Sequence, residues 1–104
     1  MSTEVNANVI KRNGVEVIFD KAKIINAVQK ANEEVPKLHQ LSQYQITALA
    51  DTIATRALES SHAVNVEDIQ DMVETGIMEM RGYEVAQKYV RYRYKSCLLY
   101  TSDA

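Results

Sequence analysis

The sequence predicts an α+β protein that is mainly α, a β-hairpin followed by four helices. Three observations carry that expectation. An Asn-Gly pair separates two β-branched runs near the N-terminus, apolar stripes at helical spacing fill most of the chain beyond residue 20, and capping residues stand where those stripes begin. A chain of 104 residues builds one domain around a single core.

Residues 8–12 and 15–19 read as strands, and Asn13-Gly14 is the pair that a two-residue type I′ turn demands, since both central residues need positive φ. Asp20 then suits a helix N-cap, because its carboxylate can accept a first-turn N–H. Ile24, Ala27, Val28 and Ala31 follow at i, i+3, i+4 and i+7, and Pro36 ends what reads as a short first helix. Ser42 with Gln45 forms a capping box ahead of the stripe Ile46, Leu49, Ala50, Ile53, Ala54, Ala57 and Leu58. The stretch "ESSHAV" reads as a loop. Asn65 is placed to cap a third helix, whose first turn carries Glu67 and Asp68 at the positive end of the helix dipole. That helix buries Ile69, Met72, Val73, Ile77 and Met80 and ends at Gly82. A fourth helix from Tyr83 presents Ala86, Tyr89, Val90 and Arg93 on one side. Residues 8–95 thus form the domain, and residues 1–7 are expected to be disordered. The tail "CLLYTSDA" has no periodicity and resembles the translation of a transposon-end sequencing adapter, so 96–104 are expected to be non-native or disordered.

Composition excludes several functions. The chain is 46% hydrophobic and 25% charged, with no apolar run near the ~18 residues of a membrane span. Its start, "MSTEVNAN", lacks the basic and apolar regions of a signal peptide, so the expected location is cytoplasmic. Cys97, His39 and His62 supply no plausible metal cluster and no patterned nucleophile. Gly14, Gly76 and Gly82 are the only glycines and fit no phosphate-loop pattern. No catalytic residue is assigned, and no metal site.

The net charge of −2 argues against a general nucleic-acid binder, yet it averages an uneven distribution. Nine of the twelve cations lie in two segments: Lys11, Arg12, Lys21, Lys23 and Lys30, then Lys88, Arg91, Arg93 and Lys95. Acids gather at Glu67, Asp68, Asp71, Glu74 and Glu79. Should the two basic segments meet, they would make an anion site, helped by the free N–H groups where the helix after Asp20 begins. Lys21 and Lys23 diverge by about 200° on a helix, so only one of them is expected beside the hairpin. The run "YEVAQKYVRYRYK" interleaves rings with cations, as single-strand binders do, but Tyr89 is read as core and Lys95 as the cation left for a site.

Four motifs, "VIKRNG", "FDKAKI", "VNVEDIQDMVE" and "EVAQKYVRYR", occur in an order and spacing that resemble an ATP-cone domain, from about Asn8 to Lys95. The resemblance implies a hairpin lid on a four-helix bundle. It implies a domain that binds ATP or dATP, with Mg2+, and reports their ratio as an activity switch, usually at the N-terminus of ribonucleotide reductase. The third and fourth motifs are most similar to the anaerobic, glycyl-radical ribonucleoside-triphosphate reductases. The implied partners are the adenine nucleotide, the catalytic domain of the parent reductase, and oligomer contacts within it. Residue by residue, Lys11 and Arg12 match the pair that holds the phosphates, and Val9 the apolar residue near the base. Lys23 matches the lysine of the element after the hairpin, and Asp20 its acidic or amide partner. Val66, Ile69 and Gln70 match positions that line the nucleoside, and Lys95 a late basic residue reaching the phosphates. Val17 stands where a Glu is common, with Glu16 one place early, and Gln70 stands where some members have His, which leaves the preference between ATP and dATP open. Three other readings stand beside this one. A reductase-gene repressor would carry a four-cysteine zinc ribbon that does not precede residue 8, a single-strand nucleic-acid module would bind no mononucleotide, and a plain oligomerisation bundle would bind neither.

Overall fold

The computed structural model describes residues 8–11, 13–60 and 63–95, the last two as backbone. Arg12, His62, Cys97, the N-terminal residues 1–7 and the tail 96–104 lie outside the described residues. The elements run β1 (Asn8–Ile10), β2 (Glu16–Ile18), α1 (Lys21–Glu33), a 3-10 turn (Lys37–His39), α2 (Gln43–Glu59), β3 (Val64–Asn65), α3 (Val66–Glu79) and α4 (Tyr83–Lys95). This is a mainly helical α+β fold in which α1 packs on α2, α2 on α3, α3 on α4 and α4 back on α1, so the helices close a ring.

The core follows from the apolar stripes. α1 buries Ile24, Ala27, Val28 and Ala31, and α2 buries Ile46, Leu49, Ala50, Ile53 and Ala57. Both helices start as their caps dictate: Asp20 Oδ1 accepts from the Ala22 N–H at 3.0 Å, and Ser42 and Gln45 complete a reciprocal capping box. At 13 residues α1 is not short. Asn32 secures the connection to α2, since its carboxamide donates to the Leu41 carbonyl at 3.1 Å and accepts from the Leu41 N–H at 2.8 Å. Leu58, expected in the stripe, is exposed, as is Val90, whereas Val85 takes the core place on α4 beside Ala86 and Tyr89. Met72 and Met80 are half-buried at the edge of the core.

The sheet differs from the expected hairpin in two ways. It has three strands in the order β2-β1-β3, because Val64–Asn65, read as loop and cap, pairs parallel with β1 in the register Val9↔Val64 and Ile10↔Asn65. Asn65 accordingly gives α3 no side-chain cap. The turn is also wider than two residues. β1 and β2 pair as Asn8↔Ile18, Val9↔Val17 and Ile10↔Glu16, and beyond them the Lys11 N–H donates to the Val15 carbonyl at 2.8 Å. The Gly14 N–H donates to the Lys11 carbonyl at 2.9 Å, Asn13 Oδ1 accepts from the Val15 N–H, and only Gly14 of the pair has positive φ, at 87°. That is a β-turn followed by a left-handed glycine, the three-residue hairpin loop with a bulge. Asn-Gly serves either turn, and the register that buries Val9 under the sheet decides between them.

α3 ends on a Schellman motif with an unexpected occupant. The Gly82 N–H donates to the Ile77 carbonyl at 3.0 Å and the Arg81 N–H to that of Met78 at 2.9 Å, so the left-handed position belongs to Arg81, at φ 66°. Gly82 is glycine for a different reason: a Cβ there would meet Leu41 Cδ2 at 3.0 Å and Ile77 Cγ2 at 3.2 Å. Arg81→Gly is therefore expected to stabilise the fold by about 1 kcal/mol through relief of left-handed strain, read as a higher midpoint in urea unfolding. A lower midpoint would show that the arginine side chain contributes more than its backbone loses.

Candidate functional site

Because β1 lies between β2 and β3, the hairpin loop is held against the start of α3. The two frame a recess of about 400 Å3 lined by Ile10, Lys11, Gly14, Asn65, Val66 and Glu67. Lys11 is half-buried there, Val66 is buried, and Gly14 brings bare backbone to the edge. The N-terminal end of a 14-residue helix adds a field that favours an anion, which Glu67 on the same lining opposes. The space is within the range that holds a small organic ligand, roughly 300–1,000 Å3.

The residues singled out from sequence do not all come together. Lys11 and Val66 share this recess. Lys23 lines a second one, also of about 400 Å3, together with Asn26, Gln29, Lys30 and Glu33 of α1 and Tyr92 of α4. Val9, Ile69 and Gln70 are buried within the core and open to neither. Asp20 spends its carboxylate on the α1 cap, and the backbone of Lys95 ends α4. Arg12 and the Lys95 side chain lie outside the described residues. The basic segments thus meet in part, where Lys23 and Lys30 flank Tyr92, while other cations serve the fold. Lys21 pairs with Asp51 of α2. Arg93 bridges to α3, 3.0 Å from Asp71 and 2.9 Å from Glu74. Burial lowers the Arg93 pKa, but the hydrogen bond to Asp71 and the charges of both acids outweigh it and hold the group above its ordinary value.

A larger groove of about 460 Å3 runs between α2 and α3 over Leu49, Ile53, Met72 and Met80. Among the described residues Arg56 is the one cation on its lining, against Asp71 and Glu79, a balance that does not suit a polyanion. The sequence reading missed Ile10, Gly14, Asn65 and Glu67 as lining residues. The signal available was the alternation Val64-Asn65-Val66, β-branched on both sides of a polar residue and too short to stand out.

A half-buried lysine in a glycine hairpin, set over the start of a helix in a helical bundle, makes a recess whose field can favour an anion. The chain belongs to the ATP cone domain family, which it matches over residues 7–96. It is 34% identical over 90 residues to an anaerobic ribonucleoside-triphosphate reductase of Haemophilus influenzae, a match covering 86% of this chain and 12% of that protein. It is 36% identical over 92 residues to a vitamin B12-dependent ribonucleoside-diphosphate reductase of Thermoplasma acidophilum, covering 84% and 12% respectively. With the ribonucleoside-diphosphate reductase subunit alpha of Chlamydia pneumoniae it shares 29% over 91 residues, 82% of this chain and 9% of that one. The chain therefore spans about a tenth of the length of these relatives. No helix among the described residues is long and apolar enough to cross a membrane.

Proposed function

We propose that this chain is the nucleotide-sensing regulatory domain, residues 8–95, of a ribonucleotide reductase, in particular the anaerobic ribonucleoside-triphosphate reductase, acting in the cytoplasm and carrying no chemistry of its own. The observation that supports this reading best is the recess joining Lys11 of the hairpin to Val66 of α3, in a chain of the ATP cone family. ATP or dATP, as the magnesium complex, is the ligand. Lys11 and Arg12 hold its phosphates, with Lys23 and Lys95 as further cations and Asp20 as the partner of Lys23. Val66 lies against the nucleoside. Val9, Ile69 and Gln70 are buried, so their contact with the nucleoside requires hairpin and helix to part.

That last condition is what makes the domain a switch. A nucleotide that must shift hairpin against α3 to bind changes the population of two packings, and two nucleotides that differ in their fit bias it differently. The catalytic domain of the parent reductase, and subunit contacts within it, read the change.

Calorimetric titration with ATP, dATP and GTP, each with magnesium, tests this. Saturable binding of the two adenine nucleotides in preference to GTP is the expected result, and its stoichiometry counts the sites. Absence of heat with all three, from a chain shown folded by circular dichroism, would defeat the reading.

A further inference from the structure

The end of the bundle opposite the hairpin carries a further recess, of about 310 Å3, between the turn that follows α1 and the junction of α3 with α4. Leu38, His39, Arg81, Tyr83 and Glu84 stand on its lining. It lies at the far end of α3 from Val66, about 20 Å away for 14 residues at the helical rise. One residue there is at odds with its backbone. Arg81 occupies the left-handed position of the Schellman motif, at φ 66°, where glycine would rest without strain. Nothing in the fold offsets that strain, since among the described residues the Arg81 side chain makes no hydrogen bond or ion pair. A strained residue whose side chain does nothing for the fold points to a use outside it.

The other polar groups of the recess are committed within it. His39 Nδ1 lies 3.7 Å from Glu84 Oε2, so the one acid on the described lining faces the imidazole and makes no ion pair with Arg81. Gln40 donates to the Val35 carbonyl at 2.9 Å, and Gln45 accepts from the Ser42 N–H at 2.8 Å. What remains is one guanidinium and an apolar rim. Leu38 is 93% exposed and Tyr83 59%, and Tyr44, beside Gln45 on the first turn of α2, is 81% exposed. Among the described residues Leu38 and Tyr44 are the most exposed large apolar side chains. Exposed aromatic and aliphatic groups around an arginine have the composition of a protein interface rather than of an ordinary wet surface.

We infer that this recess docks a segment of another protein, one that presents a carboxylate to Arg81 with an apolar side chain beside it, seated against Leu38 and Tyr83. A guanidinium with no acid opposite it takes a carboxylate through two parallel N–H donations. The apolar rim supplies contact area that a bare anion would not use, which makes the occupant a peptide chain. A basic segment does not fit, because it would meet the guanidinium with no uncommitted acid on the described lining to answer it. The inference is independent of the nucleotide reading, since this recess shares no residue with the one under the hairpin.

The probe is the peptide acetyl-Asp-Leu-Asp-Leu-amide, titrated into the nitrogen-15-labelled chain and followed by amide chemical shifts, with its Asn-Leu-Asn-Leu counterpart and sodium acetate as controls. Saturable shifts confined to residues 38–45 and 80–84 are expected, with the Asn peptide bound about fivefold more weakly, the effect of one exposed ion pair. Arg81→Gly should raise the urea midpoint and weaken the acidic peptide by the same factor, leaving the Asn peptide unaffected. Leu38→Ser should weaken both peptides alike. Absence of saturable shifts at about 10 mM of the acidic peptide would overturn the inference. Equal affinity for the two peptides, or shifts centred elsewhere, would overturn it as well. Acetate alone reproducing the shifts would replace the protein partner by a small anion. A lower urea midpoint for Arg81→Gly would also overturn the inference, by showing that the fold itself uses the arginine.

Discussion

Tyr89→Ala is expected to lose about 3–5 kcal/mol of stability, close to the whole stability of many domains of this size. Among the described residues Tyr89 is the largest fully buried side chain, 1% exposed, and sits on α4, which packs against both α1 and α3. Removing the ring opens a cavity at the seam of three helices, and a ring of helices held by its neighbours has little freedom to collapse into it. Val90→Ala, next along the chain but 38% exposed, should change stability by no more than about 0.5 kcal/mol. Urea unfolding followed by circular dichroism measures both, and a Tyr89 loss under about 1 kcal/mol would mean that α4 is not seated as described. The same burial bears on the competing nucleic-acid reading. A tyrosine sealed in the core stacks on no base, and Arg93, the cation one turn along, is committed to Asp71 and Glu74.

The neighbouring pair also shows what a sequence of this kind reveals and what it withholds. The stripe of α1 was legible because its apolar residues admit one face and no other, and the capping residues Asp20 and Ser42 are recognisable without any tertiary context. α4 offers valines at 85 and 90, about 140° apart around a helix, and only the positions of α1 and α3 decide which is inside. β3 was illegible for a related reason. It is two residues long, and its existence depends on a parallel partner more than 50 residues earlier in the chain, a pairing that leaves no local pattern. The width of the hairpin loop likewise depends on strand register, and register depends on Val9 being buried. The candidate site inherits these gaps. Lys11 stands out from sequence as a cation at a turn, but its placement against Val66 is a consequence of β3, and the burial of Gln70 follows from the closed packing of α3.

The double variant Lys11→Ala with Arg12→Ala is expected to weaken ATP binding by about a hundredfold or more while leaving the fold intact. A triphosphate carries several charges that must be matched when it leaves water, and each charge-assisted hydrogen bond to it is worth roughly 1.5–3 kcal/mol, so loss of two donors compounds. Stability should change little, because Lys11 makes its structural contribution through its backbone, which donates to Val15 and accepts from Gly14, and alanine keeps both bonds. Removing positive charge from a hairpin that lies near Glu67 could shift stability only by the small amount typical of partly exposed charges, roughly 1 kcal/mol or less. Calorimetric titration of ATP at two salt concentrations, with urea unfolding of the same sample, separates the effects. The unmodified chain should lose affinity as salt rises and the variant should lose much less, since the charges that salt screens have been removed. Unchanged affinity in a folded variant would move the phosphates away from the hairpin, and the recess holding Lys23 and Lys30 beside Tyr92 would be the place to look instead.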